Sequence, residues 1–254
     1  MAASLCLGDI TGADPTYADA TRNAVKIGDA LYDALPVKDG DRVNLHPLCV
    51  QPSDLPYITL QASQGKSAAG EVCMSQGMID FLNHVAHAKA ADRVDPGFFD
   101  RYVRGLSRAE TGGLKMPEIS DERFWTLEVR NRQMSLFNQM VGVLTAINLS
   151  HYYLGHYAKY AAKLTGDPPR GINQFLGPAE WEASVKAGAI NSMVCALAPQ
   201  GASALFEALA KMPQRPAWAV YVAPQYADLG ELTKELEGYE TNFYHGQLGD
   251  ENKR

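Results

Sequence analysis

Helical periodicity runs almost without interruption over residues 120–164, and no other feature restricts the fold of this chain as much. Ser120, followed by Asp121 and Glu122, offers an N-cap with acids in the first turn. Asp167-Pro168-Pro169 closes the segment. At the rise of an α-helix the run would extend roughly 66 Å, too long for one compact domain, so a kink or break is expected, with Gly142 as the candidate. The flanking segments then have to wrap this axis. Residues 16–35 read as a helix, with Ala20, Ala24, Ile27 and Leu31 at helical spacing and Pro36 just beyond. Three strand-like segments follow, at 42–50, 57–62 and 71–75, separated by Pro and Gly. Residues 77–91 are helical again. Residues 91–121, rich in Asp, Gly and Pro, read as an inserted excursion with a short helix near 98–106. Pro178 and Pro199 each open a further helix, and 218–222 reads as a strand or an extended loop. The order predicts an α+β fold: a small, mainly antiparallel sheet of about three strands packed on a predominantly helical body, in one domain over 1–254.

Composition narrows the function classes. Of 254 residues, 46% are apolar and 20% charged, which suits a globular chain with a sizeable core. No apolar run approaches the roughly 18–20 residues of a membrane span; the best candidate, 140–154, is interrupted by Asn148, Ser150 and His151. A net charge of −6, with the 23 basic residues scattered, excludes a nucleic-acid partner, which needs clustered Lys and Arg. Residues 1–10 contain no basic residue and do not read as a signal peptide. A secreted chain already processed would look the same, so the expectation is a soluble protein, periplasmic or secreted if a leader was removed and otherwise cytoplasmic. The four cysteines lack C-x-x-C spacing, which removes zinc-ribbon and thioredoxin readings. Cys49 and Cys73 fall in neighbouring strand-like segments, and whether they pair is left open.

Chemistry concentrates in Asn148-Leu-Ser-His151-Tyr152-Tyr153-Leu-Gly-His156-Tyr157. Two histidines at i and i+4 of a helix can face one zinc ion, with the intervening glutamate activating zinc-bound water. Here the histidines are at i and i+5, roughly 140° apart on a continuous helix, which prevents shared ligation without a π-bulge. Counting four back from His156 reaches Tyr152 and puts Tyr153 at the base position. His151 belongs to the apolar stripe of Phe137, Met140, Leu144, Ile147 and Leu154, whereas Tyr152 and His156 share the opposite face with Thr145 and Asn148, which is the candidate cleft. Two readings stand. His151 is a hydrogen-bonded core histidine and the tyrosines pack, or at least one of these histidines ligates a metal.

The same segment, taken with phrases elsewhere, resembles the HtpX-type gluzincin zinc metallopeptidases. Those enzymes begin with a helix and strands, then a phrase that Glu71-Val-Cys-Met-Ser75-Gln-Gly77-Met-Ile-Asp-Phe-Leu82 is similar to. Their His-Glu-x-x-His helix is resembled by Ala146-Ile-Asn-Leu-Ser-His151-Tyr-Tyr-Leu-Gly-His156. Their Glu-x-x-Ala-Asp phrase is resembled by Glu180-Trp-Glu182-Ala183-Ser184, and their closing His-Pro phrase by Ala223-Pro224. The resemblance covers roughly 16–237 and implies a zincin fold, with His156, Glu180 and His151 as metal ligands for zinc and with Tyr152, Tyr153, Asn148 and Ala223 lining the cleft. It breaks at the chemistry: the first histidine, the base glutamate, the aspartate and the His-Pro histidine are missing or displaced, and only His156 and Glu180 match ligand positions. A tyrosine, with an ordinary pKa near 10, is a poor base at neutral pH. The implied function is a metallopeptidase-like protein, weak or inactive on peptides. The alternative is a non-catalytic scaffold that binds a peptide or protein partner through the old cleft, where Tyr152, Tyr153, Tyr157 and Tyr160 offer amphipathic contact area.

Weaker signals complete the reading. His84 and His87 share a helix face that reads as solvated, with metal binding as the alternative. Gly65-Lys66-Ser67 echoes a phosphate loop without its leading glycine and reads as a hairpin turn.

Overall fold

The structure is a computed structural model that describes residues 20–35, 46–62, 70–106, 116 and 118–245. The Gly65-Lys66-Ser67 turn therefore lies outside the described residues. The elements in order are α1 (Ala20–Asp33), β1 (His46–Gln51), β2 (Ile58–Ala62), β3 (Gly70–Ser75), α2 (Gln76–Ala91), α3 (Phe98–Leu106), α4 (Leu127–Tyr153), α5 (His156–Tyr160), α6 (Pro178–Val194), α7 (Ser203–Lys211) and α8 (Leu229–Tyr244). The α+β class holds, with helices predominant.

The sheet is mixed rather than mainly antiparallel. Its order is β1-β3-β2, with β2 antiparallel and β1 parallel to β3. Burial explains the order. All of β3 except Glu71 is buried, so the most enclosed strand takes the centre and has both edges paired. At its end Ser75 does two jobs: its hydroxyl accepts from the Tyr57 N–H at 2.9 Å and from the Met78 N–H at 3.0 Å, closing the strand and capping α2.

α4 is the axis. Every residue from 140 to 151 is buried, so this stretch of the helix has no solvent face, and α1, α2, α6 and α7 pack around the helix. Ser120 is not its cap. Asp121 caps a short 3₁₀ turn, Glu122–Trp125, and Thr126 caps α4 through the Val129 N–H. Gly142 is not its break either: α4 runs through it, and a Cβ there would lie 2.5 Å from Leu197 Cδ1. The glycine admits Leu197 to the core. The break falls at Gly155, whose φ of +77° places it in the left-handed region where glycine carries no Cβ penalty. Residues 218–222, expected as a strand or an extended loop, fall instead on a 3₁₀ turn, Ala217–Tyr221, and its C-cap Val222; the turn sets Trp218 edge-on to Phe81, ring centroids 4.8 Å apart.

α6 crosses α4 closely. A Cβ on Gly188 would lie 2.7 Å from the backbone nitrogen of Ile147, so only glycine allows this approach. One turn earlier on α6, Ser184 comes opposite the end of α4 and the start of α5. The sheet meets the same end of α4: the Tyr152 hydroxyl reaches the carbonyls of Glu71 (2.8 Å) and Gln61 (3.2 Å).

Candidate functional site

α4 ends at Tyr153, and the left-handed Gly155 turns the chain so that α5 starts with His156 folded back over His151. The imidazole Nδ1 atoms come to 3.1 Å. A separation of roughly 140° holds only on a continuous helix, and the helix stops between them. For the same reason the count from His156 back to Tyr152 and Tyr153 crosses the break and carries no i, i+4 geometry. Within α4 the partner one turn before His151 is Ile147, and the residue after Ile147 is Asn148. Either register puts a non-ionised side chain, Tyr153 or Asn148, where a glutamate base would be needed.

Ser184 completes a triangle. Its Oγ lies 3.1 Å from His151 Nδ1 and 3.2 Å from His156 Nδ1, and its hydroxyl donates to the Glu180 carbonyl at 2.8 Å. With that proton committed, the Ser184 oxygen can only accept from the rings. His151 is fully buried and its Nε2 has no partner. A buried N–H without an acceptor costs more than an idle lone pair. His151 is therefore assigned its proton on Nδ1, shared between Ser184 Oγ and His156 Nδ1, and His156 its proton on Nε2. Burial pushes the His151 imidazole from 6.5 down to about 3, helped by neighbouring His156 and opposed by Glu180. Burial also lowers His156, again against the pull of Glu180. Both rings are neutral at pH 7.

Edges of 3.1–3.2 Å are close to the roughly 3.3 Å separating two nitrogen ligands of a tetrahedral zinc ion, so distance alone does not exclude a metal. The protons decide. Two Nδ1 lone pairs aimed at an ion require His151 to carry its hydrogen on Nε2, where nothing accepts it, whereas ligating histidines ordinarily donate that hydrogen to an outer partner. The expected third ligand is also engaged. The Glu180 carboxylate accepts from Lys159 Nζ at 2.7 Å, the Tyr160 hydroxyl at 2.9 Å and the Gly177 N–H at 3.0 Å, the last closing a capping box on its own helix. Lys159 foremost holds this carboxyl down to about 2. The residues do not fit a zinc centre of the gluzincin kind.

The expected cleft is closed. Asn148 is buried and its amide donates to the Leu144 carbonyl, and Ala223 is fully buried. The carbonyls of Ala223, Pro224 and Gln225 are gathered by the Arg215 guanidinium at 2.9–3.1 Å. Tyr152 is clamped to the sheet and Tyr153 holds a buried hydroxyl without a partner; burial raises both phenols well above their usual range. A cavity of about 350 Å³ lies elsewhere, toward the other end of α4, lined by Lys89, Arg132, Gln139, Gln200 and Ser203 among others. The His84/His87 face is not solvated: His87 is fully buried, its Nε2 is 2.8 Å from the Phe124 carbonyl, and its ring packs edge-on to Trp125.

The donor cluster that does form is on the sheet. Cys49 and Cys73, opposite one another on β1 and β3, are joined as a disulfide. Together with Glu71 they are the one group of three ligating side chains, among the described residues, whose donor atoms lie within 4.8 Å of one another, and they have the donor set to hold a metal. Sequence reasoning weighed the two cysteines as a pair and overlooked Glu71. The signal was there: Glu71 and Cys73 are two apart on a strand and so share a face. Comparison with known proteins finds no matching family model, no matching curated protein and no matching solved structure.

Proposed function

We infer that this chain is a metallopeptidase-like protein that does not hydrolyse peptides, its histidine motif serving the packing of the fold. One observation carries the reading. The two histidines of the motif bring their Nδ1 atoms within 3.1 Å of each other and within 3.2 Å of Ser184 Oγ, an arrangement that a proton on His151 Nδ1 satisfies without an ion. A working site would need a bare lone pair on each ring, a carboxylate ligand and an ionised base beside the metal. Here the carboxylate caps α6 and pairs with Lys159, and the base position holds tyrosine or asparagine. The motif has been converted from ligation to packing: it joins α4, α5 and α6 by hydrogen bonds.

The test compares wild type with His156→Ala for proteolysis of an unstructured substrate such as casein, with and without added zinc. Neither protein is expected to cleave it. Turnover by wild type that His156→Ala abolishes would overturn the reading.

A further inference from the structure

We propose that Cys49, Cys73 and Glu71 form a binding site for a thiophilic divalent cation of the zinc type, open only when the Cys49–Cys73 disulfide is reduced. The proposal is independent of the His151/His156 cluster.

Register puts the group on one face of the sheet. Cys49 is opposite Cys73 across the parallel β1–β3 pair, and Glu71 is two residues before Cys73 on β3. On the antiparallel side Gln61 is opposite Glu71 and Thr59 is opposite Cys73. The Gln61 amide donates to Cys73 Sγ at 2.7 Å and also lies 3.4 Å from Glu71 Oε2, linking two of the three donor side chains across the strand pair. The Thr59 hydroxyl, on the same face beside Cys73, is buried without a partner. Such a group is expected beside a site that takes up something polar.

The backbone under the cluster is held by the Tyr152 hydroxyl, which bonds the carbonyls of both Gln61 and Glu71. β2 and β3, the latter bearing Glu71 and Cys73, are therefore held to the helical body independently of the disulfide, and β1 with Cys49 is held to β3 by the strand pairing. Cys73 is fully buried while Cys49 and Glu71 are half-buried, so a cation would enter from the Cys49 and Glu71 side.

The chemistry balances as follows. In the reductive step the thiolate of a dithiol reductant attacks one protein sulfur and breaks the S–S bond. The reductant's second thiol then closes its own disulfide. Two electrons and two protons pass to the protein, leaving two cysteine thiols. Cation binding then expels the two thiol protons and gives two metal–thiolate bonds and one metal–carboxylate bond. Two sulfurs and one oxygen suit a borderline-soft ion and leave a fourth position for water. The sulfurs must separate from about 2.0 Å in a disulfide to roughly 3.7 Å around a zinc ion. That change requires rotation about the cysteine χ1 angles, which moves the sulfurs and not the backbone of the strand pair.

The experiment uses the full chain, oxidised or reduced with a phosphine, which delivers the two electrons while taking oxygen from water. Each form is titrated anaerobically with Co²⁺ and followed by thiolate-to-cobalt charge-transfer absorption, then back-titrated with Zn²⁺. The reduced protein is expected to bind one Co²⁺ per chain with that absorption, to lose it to Zn²⁺, and to show none when oxidised. Cys73→Ser is expected to abolish the signal. Glu71→Gln, nearly isosteric, is expected to weaken binding at least about tenfold, no less than loss of an outer partner does. The proposal is overturned by a reduced, folded protein without the absorption, by the same absorption in Cys73→Ser, or by unchanged affinity in Glu71→Gln. A reduced protein that unfolds by circular dichroism and is not restored by Zn²⁺ overturns it equally.

Discussion

The Nδ1 atoms of His151 and His156 stand 3.1 Å apart across five positions of sequence because Gly155, between them, adopts a φ of +77°. That turn ends α4 and brings the first residue of α5 back over the last buried turn of α4. Four measurements test what this and the neighbouring contacts contribute, beside the proteolysis and cobalt experiments described above.

Gly155→Ala isolates the turn. A Cβ at this position meets nothing within 4 Å, so the cost is the left-handed backbone alone, about 1 kcal/mol. A lowered urea midpoint with shifted histidine ring resonances is expected. Unchanged resonances would show that the histidines meet without help from the glycine.

Acid should weaken the fold through His151. Its folded pKa of about 3 lies below the ordinary 6.5, so between these values the unfolded chain binds a proton that the native state refuses. Stability contributed by the neutral ring is thus fully present above about pH 6.5 and lost as pH falls, by up to about 1.4 kcal/mol per pH unit for this one group. His156, lowered as well, acts in the same direction. Urea midpoints at a series of pH values should fall less steeply in His151→Gln, and the His151 ring should not titrate between pH 5 and 8 by NMR. A ring titrating near 6.5 would contradict its burial as a neutral group.

Tyr152 and Gly70 form a lock between helix and sheet. Tyr152→Phe removes the hydroxyl from two carbonyls and should cost about 1 kcal/mol. Gly70→Ala would put a Cβ 2.1 Å from Tyr152 Cε1 and should cost more, about 1–3 kcal/mol. Adding Tyr152→Ala to Gly70→Ala should recover part of that loss in thermal unfolding. Strictly additive losses would mean the two residues do not touch.

Glu180 should behave as a cap. Glu180→Ala removes the acceptor for the Gly177 N–H and should lower stability by about 1 kcal/mol. Lys159→Ala, which breaks a pair whose lysine is largely exposed, should cost well under that. The Glu180 carboxyl is held low, chiefly by Lys159, so its contribution is present above about pH 4.5 and fades as pH falls toward 2. A larger loss from Lys159→Ala than from Glu180→Ala in chemical denaturation would reverse this ranking.

Elements with strong local signals were legible without coordinates. Ala20, Ala24, Ile27 and Leu31 keep one face of α1 buried as their spacing required. Pro178 opens α6 at its first position, and the three strands fall close to the segments rich in β-formers. The excursion's short helix is α3. These follow from period and punctuation, which act over a few residues.

The sequence by itself determined most of the helix and strand segments and that the core is large, and it directed attention to His151, His156 and Glu180, whose geometry does not fit the zinc centre expected there. Tertiary structure decided the rest. Glycine shows why: Gly142 and Gly155 look alike in the sequence, yet one is needed for Leu197 to pack and the other for a left-handed turn. Only the neighbours distinguish a glycine chosen for small volume from one chosen for positive φ. The place of β3 at the centre, the approach of Ser184 to His151 and His156, and the Cys49–Glu71–Cys73 face are likewise contacts between distant segments. Local periodicity sets how each segment folds. Which side chains meet depends on how the segments bury one another, and that is a property of the packed chain as a whole.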